Sequence, residues 1–131
     1  MALFMLDTDT VSFALRGVGA VATRLAEHRP SELCVSAITI AELRFGADKR
    51  RSRKIHRAID QFLSGVDVLA FDNAAAVRFG AVAAVLAASG APIGQMDTLI
   101  ASHALSVAAT LVTNNQRHFS QVRGLELENW A

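Results

Sequence analysis

The stretch Leu3-Phe4-Met5-Leu6-Asp7-Thr8-Asp9-Thr10 decides how the rest of the chain is read. Four apolar residues stop at an acid, the pattern of a short strand buried on both faces with a carboxylate at its C-terminal end. Residues 33–35, 66–71 and 111–112 repeat the short apolar run, whereas Leu125-Glu126-Leu127-Glu128 alternates as an edge strand does. Helical patterns fill the gaps: residues 9–16 before Gly17, 20–28 before Pro30, 39–47 and 97–107. Ser52 is placed to cap a further helix whose Ile55, Ile59, Phe62 and Leu63 share one stripe, with Gly65 as its left-handed stop. Asp72 is placed to cap a long Ala-rich helix containing Val77, Ala81, Ala84 and Val85, ended by Gly90 and Pro92. Strands alternating with helices imply right-handed crossovers and a three-layer α/β/α sandwich around a parallel sheet. In such sheets ligands bind beyond the carboxyl ends of the strands.

With 131 residues, 52% of them hydrophobic and 19% charged, residues 1–131 read as one globular domain and not as a disordered chain. The single cysteine, Cys34, excludes an internal disulfide, and no Cys/His spacing points to structural zinc, so a reducing, cytoplasmic setting is expected. No apolar run reaches the roughly 18 residues of a membrane span, and residues 1–6 lack the features of a secretory leader. No membrane partner is expected. A net charge of +1 argues against a nucleic-acid binder, and the absence of tyrosine with only one tryptophan argues against an aromatic platform for bases. The distribution of charge changes the first inference. Residues 44–57 carry Arg44, Lys49, Arg50, Arg51, Arg53, Lys54 and Arg57 against Asp48 alone, a local +6 that leaves −5 for the rest of the chain.

The acids have structural explanations when taken singly. Asp7 and Asp9 suit the cap and first turn of the next helix, and Thr39-Ile40-Ala41-Glu42 reads as a capping box. Asp97 follows Gly94 in the first turn of a helix, where the helix dipole favours an acid, and Asn115 after residues 111–113 is a turn residue. Together they read differently. Asp7 and Asn115 follow strand ends while Glu42 and Asp97 fall in first helical turns, so a parallel sheet gathers all four at one edge. Oxygen ligands converging there repel one another unless a hard cation such as Mg²⁺ or Mn²⁺ sits between them. Such a centre suits phosphodiester hydrolysis.

Four ordered segments carry a family likeness: Phe4-Met5-Leu6-Asp7-Thr8-Asp9; Ser36-Ala37-Ile38-Thr39-Ile40-Ala41-Glu42-Leu43 with Phe45-Gly46-Ala47; Pro92-Ile93-Gly94-Gln95-Met96-Asp97-Thr98-Leu99-Ile100-Ala101; and Leu111-Val112-Thr113-Asn114-Asn115 with Phe119 and Glu128-Asn129-Trp130. The chain resembles the PIN-domain ribonucleases and, among them, the VapC toxins of bacterial toxin-antitoxin pairs. That resemblance implies a five-stranded parallel sheet of order 3-2-1-4-5, a Mg²⁺ or Mn²⁺ site and single-strand-directed endoribonuclease activity; the expected target is a structured RNA such as tRNA. Inhibition by a VapB-type antitoxin and homodimerisation are implied as well. Asp7 and Asp97 resemble the metal ligands, Glu42 the acid that positions the attacking water, and Asn115 stands where many members have a fourth aspartate. Thr113 and Asp9 are expected to support them.

Beside such a centre, Arg44, Lys49, Arg50 and Arg117 become candidate contacts for an RNA backbone, with His118 next to Arg117. His28, His56, His103 and His118 show no metal-binding spacing, and His103, six residues after Asp97, lies on another face of its helix. Two rival readings are weighed. Asp7-Thr8-Asp9-Thr10-Val11 also matches the start of haloacid-dehalogenase-like phosphotransferases, but both lysines, Lys49 and Lys54, lie in the basic segment and no late acidic pair follows. A non-catalytic interaction module would leave the acids as helix caps only.

Overall fold

The structure, a computed structural model, describes residues 2–131; Met1, the first residue of the domain read above, lies outside them. Among the described residues the chain runs β1 (Phe4–Leu6), α1 (Thr8–Arg16), α2 (Val21–Ala26), a 3-10 turn (Pro30–Glu32), β2 (Leu33–Ser36), α3 (Ala37–Lys49) and α4 (Arg53–Phe62). It continues β3 (Asp67–Leu69), α5 (Asn73–Ala88), α6 (Gln95–Ser106), β4 (Thr110–Val112), α7 (Gln116–Phe119) and β5 (Leu127–Glu128). All strand pairings are parallel and the order is β3-β2-β1-β4-β5, as the resemblance implies.

Alternation along the strands divides the molecule into its three layers. Met5, Cys34 and Leu111 point into a core shared with Leu86, Ile100 and Ala104 of α5 and α6. Their neighbours Leu6, Val35 and Val112 point the other way, toward Val11, Val21 and the half-buried Leu43 and Phe62 of the helices on the opposite face. The successive-residue alternation of a strand thus fills both interfaces from one sheet. Trp130 closes the second core: its ring stacks on His28, and its indole N–H donates to Glu128 Oε1 at 2.8 Å.

Helix ends follow local chemistry with four departures from the expectations above. Asp7, Ser52 and Asp72 each cap a helix through the side chain, and Gly17 takes a left-handed conformation at φ 66° to end α1. Residues 20–28 yield only Val21–Ala26 as helix. Gly65 is not left-handed; α4 ends at Phe62, followed by Leu63 in a right-handed conformation. The third strand is an exposed edge, with Asp67 and Val68 in solvent, because β2 covers only one of its sides. The fourth departure bears on the site: α3 starts at Ala37, not Thr39, because the Ser36 hydroxyl accepts from the Ile38 amide at 3.1 Å two residues earlier.

Candidate active site

The carboxyl edge of β1 and β4 places the first groups. Asp7 directly follows β1, is 4% exposed, and accepts from the Thr10 amide at 2.8 Å while capping α1. Its own amide extends the ladder to the Val112 carbonyl at 3.0 Å, which ties it to the end of β4. Thr113, fully buried behind it, hydrogen-bonds the Asp7 carboxyl and accepts from the Asn115 amide at 2.9 Å. Burial raises the Asp7 pKa above its ordinary value; the Thr113 and Thr10 hydrogen bonds oppose the rise and the charge of Asp9 adds to it.

Asp97 comes from the other side of the cleft. Gly94 holds φ 92°, ψ 152°, a conformation open to glycine and strained for other residues, and this turn starts α6 with Asp97 in its first turn. The Asp97 pKa is also raised, first by burial; His118 lowers it, and the charges of Glu42, Asp7 and Asp9 raise it further. These acids therefore share one field. The group that opposes them is His118, whose Nε2 lies 3.1 Å from Asp97 Oδ2 and also hydrogen-bonds the Ile93 carbonyl.

Glu42 needs the correction in α3. With the helix beginning at Ala37, Thr39 is a buried residue within it and Glu42 lies in the second turn, so there is no Thr39–Glu42 capping box. Glu42 instead receives the Thr8 hydroxyl on Oε1 at 2.6 Å, a bond from α1 across to α3 that aims the carboxylate at Asp7 and Asp97. Asp7, Thr8, Asp9, Glu42, Asp97 and Asn115, with Phe119, line one pocket of about 160 Å³. Asn115 precedes α7 but its side chain makes no capping bond, which leaves the amide facing that pocket.

The donors fit a hard cation better than zinc. All are oxygens, and among the described residues no three or more His, Cys, Asp or Glu side chains come together closely enough to hold a metal ion, so the protein offers fewer than three such ligands at once. Zinc prefers four N or S ligands, whereas Mg²⁺ keeps several waters and uses one or two carboxylates. His103 takes no part: it is buried and bonds Ser36 Oγ through Nδ1 at 2.7 Å.

The basic segment divides. Arg44 is engaged with Asp60, with the His56 carbonyl and with His56 Nδ1, and so fastens α3 to α4 in place of the phosphate contact expected of it. Lys49 is exposed above the Phe45 ring, Arg50 lines the cleft that Glu42 also borders, and Arg117 is exposed beside Asn115. Two partners escaped the sequence reading: Thr8 as the anchor of Glu42, and His118 as the neighbour of Asp97. Both are long-range pairings without a local spacing signal.

Comparison with known proteins decides the family. Residues 4–125 match the PIN domain. The chain belongs to the PIN-domain family. Within this family it is similar over its whole length to VapC ribonucleases: it is 39% identical to the tRNA(fMet)-specific endonuclease VapC of Shigella flexneri, with 100% of both chains covered. Among solved structures, VapBC2 from Rickettsia felis bound to a promoter DNA fragment matches with a TM-score of 0.92 at 32% identity, covering 98% of this chain and 99% of that one. DNA-bound VapBC from Salmonella typhimurium matches with a TM-score of 0.90 at 37% identity, covering 100% of both. The chain is thus a PIN-domain ribonuclease of the VapC type, and the phosphotransferase reading is not favoured: no lysine lines the acidic pocket.

Proposed function

We propose that the chain is the toxin of a toxin-antitoxin pair, a single PIN domain that cleaves a structured RNA such as tRNA with Mg²⁺ or Mn²⁺ and is silenced by a VapB-type antitoxin. The observation that carries this reading is the joining of Asp7, Glu42, Asp97 and Asn115 in one pocket whose acids repel one another. A divalent cation bound there supplies charge neutralisation at the phosphate and lowers the pKa of the attacking water. Asp7 and Asp97 would hold that cation, with Asp7 oriented by Thr10 and Thr113. Glu42, steadied by Thr8, would align the water for in-line attack and accept its proton as the bond from phosphorus to the leaving ribose oxygen breaks and that oxygen takes up a proton from solvent. Asn115 adds an uncharged oxygen, and the exposed Lys49, Arg50 and Arg117 attract the RNA backbone by counterion release.

The name of the Shigella relative supports tRNA as a substrate, and the VapBC complexes support an antitoxin partner. An apolar cleft of about 840 Å³ between α1, α3 and α4, floored by Leu15, Leu43 and Ile55 and bordered by Glu42, supports partner binding next to the catalytic groups. Val77 and Val85 on α5, 66% and 62% exposed, support a homodimer interface. Among the described residues no helix is long and apolar enough to cross a membrane, and action on RNA puts the work in the cytoplasm. Mapping RNA 5′ ends after induction of the wild type beside Asp7→Ala tests the reading. New ends at discrete sites with the wild type alone are expected; a target cut equally by both overturns it.

A further inference from the structure

Next to the acidic pocket lies a second hollow of about 280 Å³, walled by Pro92, Ile93, Asn115, Arg117, His118 and Gln121. Its chemistry is different. No carboxylate lines it, and the mechanism above uses only two of its residues, Asn115, which is shared between the two spaces, and Arg117, as an attractor of the RNA backbone.

We propose that this hollow is a nucleobase subsite that selects the nucleotide beside the scissile phosphodiester; the assignment rests on the ribonuclease reading above. Three observations converge on it. Its size is close to the lower end of the roughly 300–1,000 Å³ of small-ligand pockets, room for one base and not for a helix or a duplex. Its polar heads have no partner within the chain: Asn115 makes no capping bond, so its amide N–H₂ is free on this side of the oxygen assigned above, and among the described residues neither the Gln121 amide nor the Arg117 guanidinium has a side-chain hydrogen bond or ion-pair partner. Two amides and a guanidinium provide the mixed donors and acceptors that read a base edge, while Pro92 and the half-buried His118 ring provide flat apolar contact for its face.

The third observation is continuity. Asn115 touches both spaces, and the wall residue His118 contacts Asp97 through Nε2, so a base seated here has its own phosphate at the acids. Single-stranded RNA is read in this way, with a splayed base held by its face and its edge while the backbone passes a charged groove. A flanking base that fits would hold the phosphodiester in register for attack, so the selection falls on kcat/KM.

The test uses the purified full chain with Mn²⁺ and a pool of folded tRNA transcripts randomised within their single-stranded loops, digested to low conversion and sequenced at the cut ends. The wild type is expected to show a base preference at one position adjoining the cut. Gln121→Leu is expected to lower kcat/KM for the preferred base by about three- to tenfold, the value of one hydrogen bond, with the other bases unaffected, whereas Arg117→Ala, which also loses attraction for the RNA backbone, is expected to lower cleavage at every base and at the preferred base the most. An unchanged preference profile in both variants, or a wild type with no preference at the adjoining positions, overturns the subsite while leaving the nuclease intact. A wild type that cuts nothing overturns the ribonuclease reading itself.

Discussion

Asp97 and His103 stand six residues apart on α6 and are treated in opposite ways by the fold. His103 is 1% exposed, bonded to Ser36 and set edge-on to Phe71; burial holds its pKa below the ordinary histidine value, so it sits neutral and satisfied. Asp97 is half-buried, and burial first, then the charges of Glu42, Asp7 and Asp9, hold its pKa above the ordinary carboxylate value against the opposing pull of His118. One end of the helix is built for stability and the other carries an electrostatic burden that a bound cation would relieve. Groups arranged at a cost to the fold's own stability mark the site.

The largest expected effect breaks the loaded end. Asp97→Asn keeps the helix and removes a metal-holding charge, so RNA cleavage should fall by at least about 100-fold, given that a catalytic cation contributes several kcal/mol to the transition state. Steady-state rates on a labelled RNA check this. Breaking the satisfied end should do the reverse: His103→Ala removes packing and the partner of Ser36, costing about 2–3 kcal/mol, or a Tm lower by roughly 10 °C by calorimetry. Gly94→Ala falls between the two ends, because no atom lies within 4 Å of an added Cβ and only the positive φ opposes it. A loss of about 1–2 kcal/mol is expected, together with a displaced Asp97.

The two ends also differ in sign with pH. A raised carboxylate pKa means that the folded chain binds a proton more tightly than the unfolded chain, so this burden is full at neutral pH and is relieved as pH falls through the folded value. In metal-free buffer Asp97→Asn should therefore be more stable than wild type at pH 7, with a gap that closes toward acid. For His103 the depressed pKa works the other way: stability is present above the ordinary histidine value and is lost as pH falls below it. Denaturant titrations of wild type and both variants at several pH values separate the two slopes.

The same contrast explains what could be read in advance. Short apolar runs reveal buried parallel strands because both faces of Met5-Leu6 and Leu111-Val112 meet core. Asp7 and Asp97 were legible because a strand end and a glycine turn fix where a carboxylate must emerge. Glu42 was harder: two hydroxyls, Ser36 and Thr39, compete to start α3, and only the Ser36 bond to Ile38 settles the choice. Arg44 read as a free cation because its partners, His56 and Asp60, lie on the next helix. His118 beside Asp97 is set by the packing of α7 against the loop at Ile93, which no local pattern encodes.

The most direct test of the central claim is cleavage of an end-labelled RNA by the purified chain, with EDTA added and Mg²⁺ then restored, run beside Asp97→Asn. The wild type should cut, stop with EDTA and resume with Mg²⁺, while the variant stays inactive throughout. Cutting by Asp97→Asn at the wild-type rate, or cutting by the wild type that EDTA leaves untouched, would contradict the acidic pocket as a metal-dependent ribonuclease centre.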